Sequence, residues 1–433
     1  MIKQSKIKKP ITIIEYWFFW TKKDIQYPEW SHYIDEKSFN ELENFIIDEK
    51  NQSEEFLSLT YRKWYWKIIV AQNYVWVVET KNWTVIEILP KITQTSDGDK
   101  VEKTRNIFLR MLKTLKDSPF KDLNEANLRN QKFPILEIFI QLFLNELSVL
   151  VKKWIKKNYI SEVDNLKYIK WKLKIKENIS TNIFDHSKFV CEYDEYSDNT
   201  KENKLIKTCL LKLQKISTNM KNKQDINLYL HLFSDVEEVK DIKNDIKIID
   251  NINRLHTYYL PVLKWVKLFL WNESVVNFSW STLALSLLFP MEKIFESYVA
   301  SILRERLINH TVDAQDVSHY LIENPRKFQL RPDIVIDKWS SNIIIADTKW
   351  KKLDSNDEKS KYWISQQDMY QLYAYAKKYD SKKLYLIYPE NAHFSETLPE
   401  FVYDHWIILR AIPYKLWITK SLDSCELFDI DDE

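Results

Sequence analysis

Between Leu57 and Ile92 the chain alternates apolar with polar or aromatic positions in YRKWYWKIIV, NYVWVVET and TVIEILPKI, a period-two pattern that predicts a small β-rich region. The period then changes. In NIFLRMLKTL and PILEIFIQLFLNELSVLVKKWIKK apolar residues recur at helical spacing, with Pro134 suited to a first helical turn. FDHSKFVCEYDEYSDNTKEN, residues 184–203, reads as polar and turn-rich, and LIKTCLLKLQKIS, VEEVKDIKNDI and YLPVLKWVKLFLW read as helices. After a connection around Asn272 to Ser281, SLLFPMEKIFESYVASILRERL predicts one long helix that Pro290 kinks or restarts. RPDIVID and SNIIIADTKW then read as neighbouring strands, DMYQLYAYAKKY as a helix, and KKLYLIYP and HWIILRAIPY as further strands. The expected fold is a multidomain α+β or α/β protein. Residues 1–272 would form an N-terminal β-rich and helical region, and 273–433 an α/β/α domain around a central mixed sheet.

Composition narrows the class. No apolar run in the 433 residues approaches the eighteen or more needed to cross a bilayer, and the basic start MIKQSKIKKP leads into a segment too short and aromatic for a secretory signal. A cytoplasmic protein is expected, with no membrane partner. Cys191, Cys209 and Cys425 are widely separated and suggest neither a disulfide framework nor a zinc site. With 64 basic and 62 acidic residues the net charge is +2, so a nucleic-acid surface has to be local. The lysine-rich run from Lys152 to Lys176 is either a solvated face or a contact to DNA backbone.

Glycine is nearly missing. A protein of this length ordinarily carries about 30, yet Gly98 stands alone beside 17 tryptophans. Several tryptophans fall where a turn favours glycine: Asn82-Trp83 separates two strand-like runs, and Lys338-Trp339-Ser340 separates two more. Positive φ is costly for a bulky side chain. We therefore expect a genetic code in which one stop codon, decoded here as tryptophan, specifies glycine.

The chemistry lies in the C-terminal third. Asp347 and Lys349, two apart in a strand, share one sheet face. A hairpin turning near Trp339 would set Asp333 opposite residues 345–347 and bring two carboxylates together. Such a pair repels itself unless a proton or cation intervenes, and its hard oxygens suit Mg²⁺ or Mn²⁺, which could activate water against a phosphodiester. Lys349 would then orient that water and stabilise charge on the phosphate.

The order of FESYVA with Glu296, RPDIVID with Asp333, IIIADTKWK with Asp347 and Lys349, and DMYQLYAYA with Gln371 and Tyr375 resembles the PD-(D/E)XK nuclease superfamily. That resemblance implies catalysis by Asp333, Asp347, Lys349 and Glu296, with metal held by Asp333, Asp347 and Glu296. Glu292, one helical turn earlier, is the other candidate for the third acid. Gln371, Tyr375 and Lys351 are candidate DNA contacts.

NYVWVVETKNWTVIEILPKI, CEYDEYSDNTKENKLIKTCLLKL, LLFPMEKIFESYVA, FQLRPDIVI, IIIADTKWKKL and YWISQQDMYQLYAYAKKY are similar to segments of McrC, the nuclease subunit of the McrBC modification-dependent restriction system. The resemblance begins near Tyr61; residues 1–55 carry little of it. It implies glycine at Trp76, Trp83, Trp171 and Trp363 and a true tryptophan at Trp350. It also implies a McrB-like AAA+ GTPase oligomer as partner, engaged by the N-terminal region, and double-stranded DNA with modified cytosine as substrate. GTP would be bound by that partner, since this chain has no Walker A pattern even if every Trp is read as Gly. The alternatives are a stand-alone RecB-like repair nuclease and a catalytically silent regulator of a GTPase.

Overall fold

In the computed structural model the described residues are 11–21, 28, 31–47, 57–62, 66–80, 84–92, 98–115, 119–121, 133–252, 254–270 and 285–416. The β-branched runs form strands as expected: Leu57–Arg62, Trp66–Ala71, Tyr74–Glu79 and Val85–Leu89. They divide between two four-stranded sheets. One has the order Ser31–Tyr33, Phe18–Trp20, Trp66–Ala71, Leu57–Arg62. The other runs Ile11–Ile14, Val85–Leu89, Tyr74–Glu79, Leu285–Pro290, and its first two strands are parallel.

That last strand departs from expectation. Leu285–Pro290 is not the first half of a long helix; it pairs antiparallel with Tyr74–Glu79, and the helix begins at Met291. The segment Leu287 to Phe289 is buried and has no polar face to turn to solvent, so sheet hydrogen bonds satisfy it, and Pro290 is the helix N-cap. A second departure is Phe189–Ser197. The polar stretch contains a strand paired antiparallel along Asn158–Leu166, with Cys191 and Tyr193 buried on one face and Val190 on the other. In VEEVKDIKNDI only Ile242–Asp245 is α-helical, followed by a 3₁₀ segment Ile246–Asn251. The connection expected around Asn272 to Ser281 lies outside the described residues.

The described residues group into two compact units, one of 133–270 and the other of 11–121 with 285–416. The residues on the C-terminal side of the expected 272/273 boundary thus share a unit with the first two sheets. In the first unit the helices Ile135–Lys153, Lys201–Ile216, Met220–Leu232 and Leu260–Leu270 pack together, and the short helix Ile175–Thr181 packs on the sheet of Asn158–Leu166, Phe189–Ser197 and Lys172–Leu173. No described helix is long and apolar enough to cross a membrane.

The second unit also holds a six-stranded mixed sheet. Its order is Val312–Ala314, Ile334–Ile336, Ile344–Thr348, Lys383–Pro389, Ile408–Tyr414, Phe401–Val402. The three strands beginning at Ile344, Lys383 and Ile408 are parallel, and the others are antiparallel to their neighbours. Ile344–Thr348 is buried along its whole length. Both Met291–Arg306 and Gln366–Tyr379 pack against it, and Ile345 lies in one apolar cluster with Leu372, Tyr375 and Tyr379 of the second helix.

Candidate functional site

Register alone brings the first two acids together. Ile334 pairs with Ala346 and Ile336 with Ile344, which sets Asp333 across from Asp347 at the end of the hairpin. The backbone N–H and the hydroxyl of Thr348 both donate to Asp333 Oδ2, each at 2.8 Å. Lys349 leaves the same strand, its backbone N–H still bonded to the Ile387 carbonyl at 2.9 Å, and its Nζ lies 2.5 Å from Asp347 Oδ2. That contact is an ion pair without hydrogen-bond alignment: Asp347 Oδ2 is buried and accepts no aligned hydrogen bond.

Between the two candidate acids on the helix Met291–Arg306 the structure separates clearly. Glu296 is half-buried and faces the centre, while Glu292 is exposed. The side-chain amide of Gln315 donates to Glu296 Oε1 and, at 3.5 Å, to Asp333 Oδ1. Gln315 is fixed there by its own N–H, bonded to the Asp333 carbonyl at 2.9 Å.

The electrostatics are those of acids short of counter-charge. Burial, reinforced by Asp333, pushes the Asp347 carboxyl up to about 7; burial together with Glu296 pushes Asp333 up to about 6. Burial also raises Glu296, against the lowering effect of the Gln315 hydrogen bond, with Asp347 adding to the rise. For Lys349 burial acts downward, but the surrounding carboxylates, Asp347 foremost, outweigh it and hold the ammonium above its usual range.

Asp368 is a member that the sequence reading missed. It is buried at the start of the helix Gln366–Tyr379, 4.0 Å from Lys349 Nζ and 3.4 Å from Lys351 Nζ. It stands in the DMYQ segment, but nothing in one sequence distinguishes it from an ordinary first-turn acid. Gln315 and Thr348 also gave no signal, since their roles depend on contacts across the fold. Lys351 is partly exposed at the rim and pairs with Asp368. Gln371 is half-buried and donates to the Tyr375 hydroxyl at 2.6 Å. Tyr375 is 4% exposed, belongs to the sheet–helix core and donates to the Arg331 carbonyl at 3.2 Å. In the basic run, Lys172 and Lys174 pair with Glu192 on a more open face, whereas Lys156 pairs with buried Glu202.

The donors fit a hard cation in kind: all are carboxylate oxygens, and a buried one lacks an aligned partner. As the side chains stand, no three Asp, Glu, His or Cys among the described residues converge to hold a metal. Gln315 occupies the place between Glu296 and Asp333.

Comparison with known proteins agrees with this picture of the fold. Residues 69–389 match the model of the McrBC 5-methylcytosine restriction system component family, well over half of the chain. The chain belongs to that family. Among solved structures it is similar to a chain of the refined half-complex from the tetradecameric assembly of Thermococcus gammatolerans McrB AAA+ hexamers with bound McrC. The TM-score is 0.68 at 16% identity, covering 97% of this chain and 99% of that one. The cryo-EM structure of the Thermococcus gammatolerans McrBC complex also matches, with TM-score 0.46 and 17% identity over 69% of this chain and 88% of that one. No curated protein matches. Membership of the McrBC family makes this chain a component of a restriction system, and the near end-to-end likeness at 16% identity speaks for a shared fold.

Proposed function

We propose that this McrBC-family chain is the endonuclease subunit of a GTP-dependent, modification-dependent restriction system. On this reading it cuts double-stranded DNA bearing modified cytosine, with a PD-(D/E)XK-type centre and Mg²⁺ or Mn²⁺, and works with a McrB-like AAA+ GTPase. The observation that carries the reading is buried Asp347 facing half-buried Asp333 on the neighbouring strand, with Lys349 2.5 Å from Asp347. A purely structural hairpin has no reason to set a second acid against the buried Asp347 carboxylate, where burial and Asp333 together raise its pKa.

Asp333 and Asp347 would hold the cation, joined by Glu296 once the Gln315 amide swings aside. Bound there, a divalent cation supplies charge neutralisation and a more acidic water. Thr348 fixes the Asp333 carboxylate through two hydrogen bonds, so its free oxygen has one orientation. Lys349 is kept charged by its carboxylate neighbours, so it serves as a donor to a phosphate oxygen or to the attacking water rather than as a proton acceptor. Asp368 holds the ammonium from the other side.

The test is cleavage of methylated DNA by the chain reconstituted with its GTPase partner. Asp347→Ala and Lys349→Ala should abolish cutting and leave stimulated GTP hydrolysis intact. Loss of both activities together, or retained cutting, would overturn the assignment.

A further inference from the structure

Behind the acids lies a second buried polar cluster that the nuclease chemistry does not use. The parallel strands Ile11–Ile14 and Val85–Leu89 end side by side, with Ile14 paired to Leu89, and deliver Glu15 and Lys91 to one edge of their sheet. Both side chains converge on Trp350, the residue after Lys349. Glu15 Oε2 accepts from the indole N–H at 3.0 Å and from the Lys91 backbone N–H at 3.0 Å. Lys91 Nζ donates to the Trp350 carbonyl at 2.9 Å, with further contacts to Asn73 Oδ1 at 3.2 Å and the Tyr16 hydroxyl at 3.3 Å. Trp350 is fully buried, and its ring packs on Phe295 at 5.3 Å between centroids. It is thus adjacent in sequence to Lys349 and in space to the neighbour of Glu296.

We propose that Glu15 and Lys91 are positioning residues of the nuclease centre: they grip Trp350 by its indole N–H and its carbonyl, and Trp350 sets the placement of Lys349 and Glu296. The proposal rests on the nuclease reading above. Burying a carboxylate and an ammonium that share no direct ion pair is an expensive way to gain stability, since apolar side chains of the same volume would do as well or better. What such a cluster supplies is one orientation. A displacement of about 1 Å at a reacting group can cost a hundredfold in rate.

The experiment uses full-length protein in complex with its GTPase partner, reading single-turnover DNA cleavage across a Mg²⁺ titration. GTP hydrolysis and melting temperature are recorded alongside. Lys91→Met, Glu15→Ala and Trp350→Phe, the last keeping the packing and losing the N–H, should slow cleavage at least tenfold and raise the Mg²⁺ needed for half-maximal rate. Stimulated GTP hydrolysis should persist. Glu15→Gln, which can still accept from the indole, should recover most of what Glu15→Ala loses. Folded variants that cut at the wild-type rate and Mg²⁺ requirement would overturn the clamp, as would losses that only follow the melting temperature and GTP hydrolysis. A wild-type complex that never cuts would end the nuclease reading and take the clamp with it.

A separate observation concerns the backbone. Trp154, Trp171, Trp363 and Trp406 have φ of 93°, 59°, 67° and 65°. Bulky residues are genuine outliers there, whereas glycine enters freely. All four are exposed, Trp154 at 80%, Trp171 at 84% and Trp406 at 82%, and Trp154 caps the C-terminus of Ile135–Lys153, where glycine is the favoured residue. Trp265 and Trp350 are of another kind, buried and packed on Phe139 and Phe295. We infer that the four left-handed positions are glycine in the protein as its host makes it. Trp339 is 89% exposed, but the left-handed residue of that turn is Asp337, and Trp76 lies mid-strand, so neither position shows the signature. Trp83 lies outside the described residues. Peptide mass spectrometry of the protein isolated from its host should find glycine at 154, 171, 363 and 406 and tryptophan at 265 and 350. Tryptophan at the first four would overturn the inference.

Discussion

Replacing Asp347 with asparagine should make the metal-free protein more stable while it removes cleavage. The folded protein holds a proton on Asp347 up to about pH 7, against 3.8 for an unperturbed aspartate, so between those values it binds more protons than the unfolded chain does. Stability therefore falls as pH rises from about 4 through about 7, and the loss is complete above that. At about 1.4 kcal/mol per pH unit the interval corresponds to about 4 kcal/mol at pH 8, a ceiling set by ionising a side chain that is 2% exposed. Asparagine returns part of this, because Lys349 loses the partner 2.5 Å away and keeps Asp333 and, at 4.0 Å, Asp368. A net gain of about 2 kcal/mol remains, or a rise of roughly 5 °C in the melting of the unit that contains the centre. The assay is thermal unfolding of the purified chain in EDTA at pH 8 and pH 5. At pH 5 the folded wild type already carries the proton, and the exchange should be close to neutral. An equal effect at both pH values, or destabilisation at pH 8, would refute the picture of a charge-starved carboxylate. Millimolar Mg²⁺ at pH 8 should raise the melting temperature of the wild type and leave Asp347→Asn unmoved.

Cleavage by the reconstituted complex should stop in EDTA and return with excess Mg²⁺ or Mn²⁺; cutting that persists in chelator would remove the metal from the mechanism. The combined variant Trp154→Gly, Trp171→Gly, Trp363→Gly and Trp406→Gly should be more stable. Each left-handed tryptophan costs about 1–2 kcal/mol, of which glycine's greater unfolded-state freedom takes back about 0.5–1, leaving roughly 2–4 kcal/mol over four distant sites. Denaturation curves check this, and Trp350→Gly should lower stability instead. In the unit of residues 133–270, buried Glu137 accepts from the Ser217 hydroxyl at 2.9 Å, the Asn222 amide at 2.8 Å and the backbone N–H groups of Thr218 and Asn219. Glu137→Ala should strand those donors and cost about 3 kcal/mol, read as faster hydrogen exchange in Met220–Leu232.

The sequence by itself determined what short-range patterns determine. Period-two runs specified the strands from Leu57 to Leu89, helical spacing specified Ile135–Lys153, and the two-residue separation of Asp347 and Lys349 placed both on one face. The near absence of glycine was a compositional fact that pointed to anomalous turns, and left-handed backbone at four tryptophans is its structural counterpart. Tertiary structure decided everything that depended on a partner distant in the chain. Leu285–Pro290 became a strand because Tyr74–Glu79, two hundred positions earlier, offered an edge to its apolar run. Glu296 rather than Glu292 meets Gln315 because of which side of the helix faces the sheet, a difference that one turn of spacing cannot encode. Tyr375 went to the core for the same reason. Gln315, Asp368, Glu15 and Lys91 acquired their roles by proximity alone: each is an ordinary polar residue in its local sequence, and only burial beside an unlike group, where the dielectric is low and a lost hydrogen bond is costly, gives it an effect on the centre.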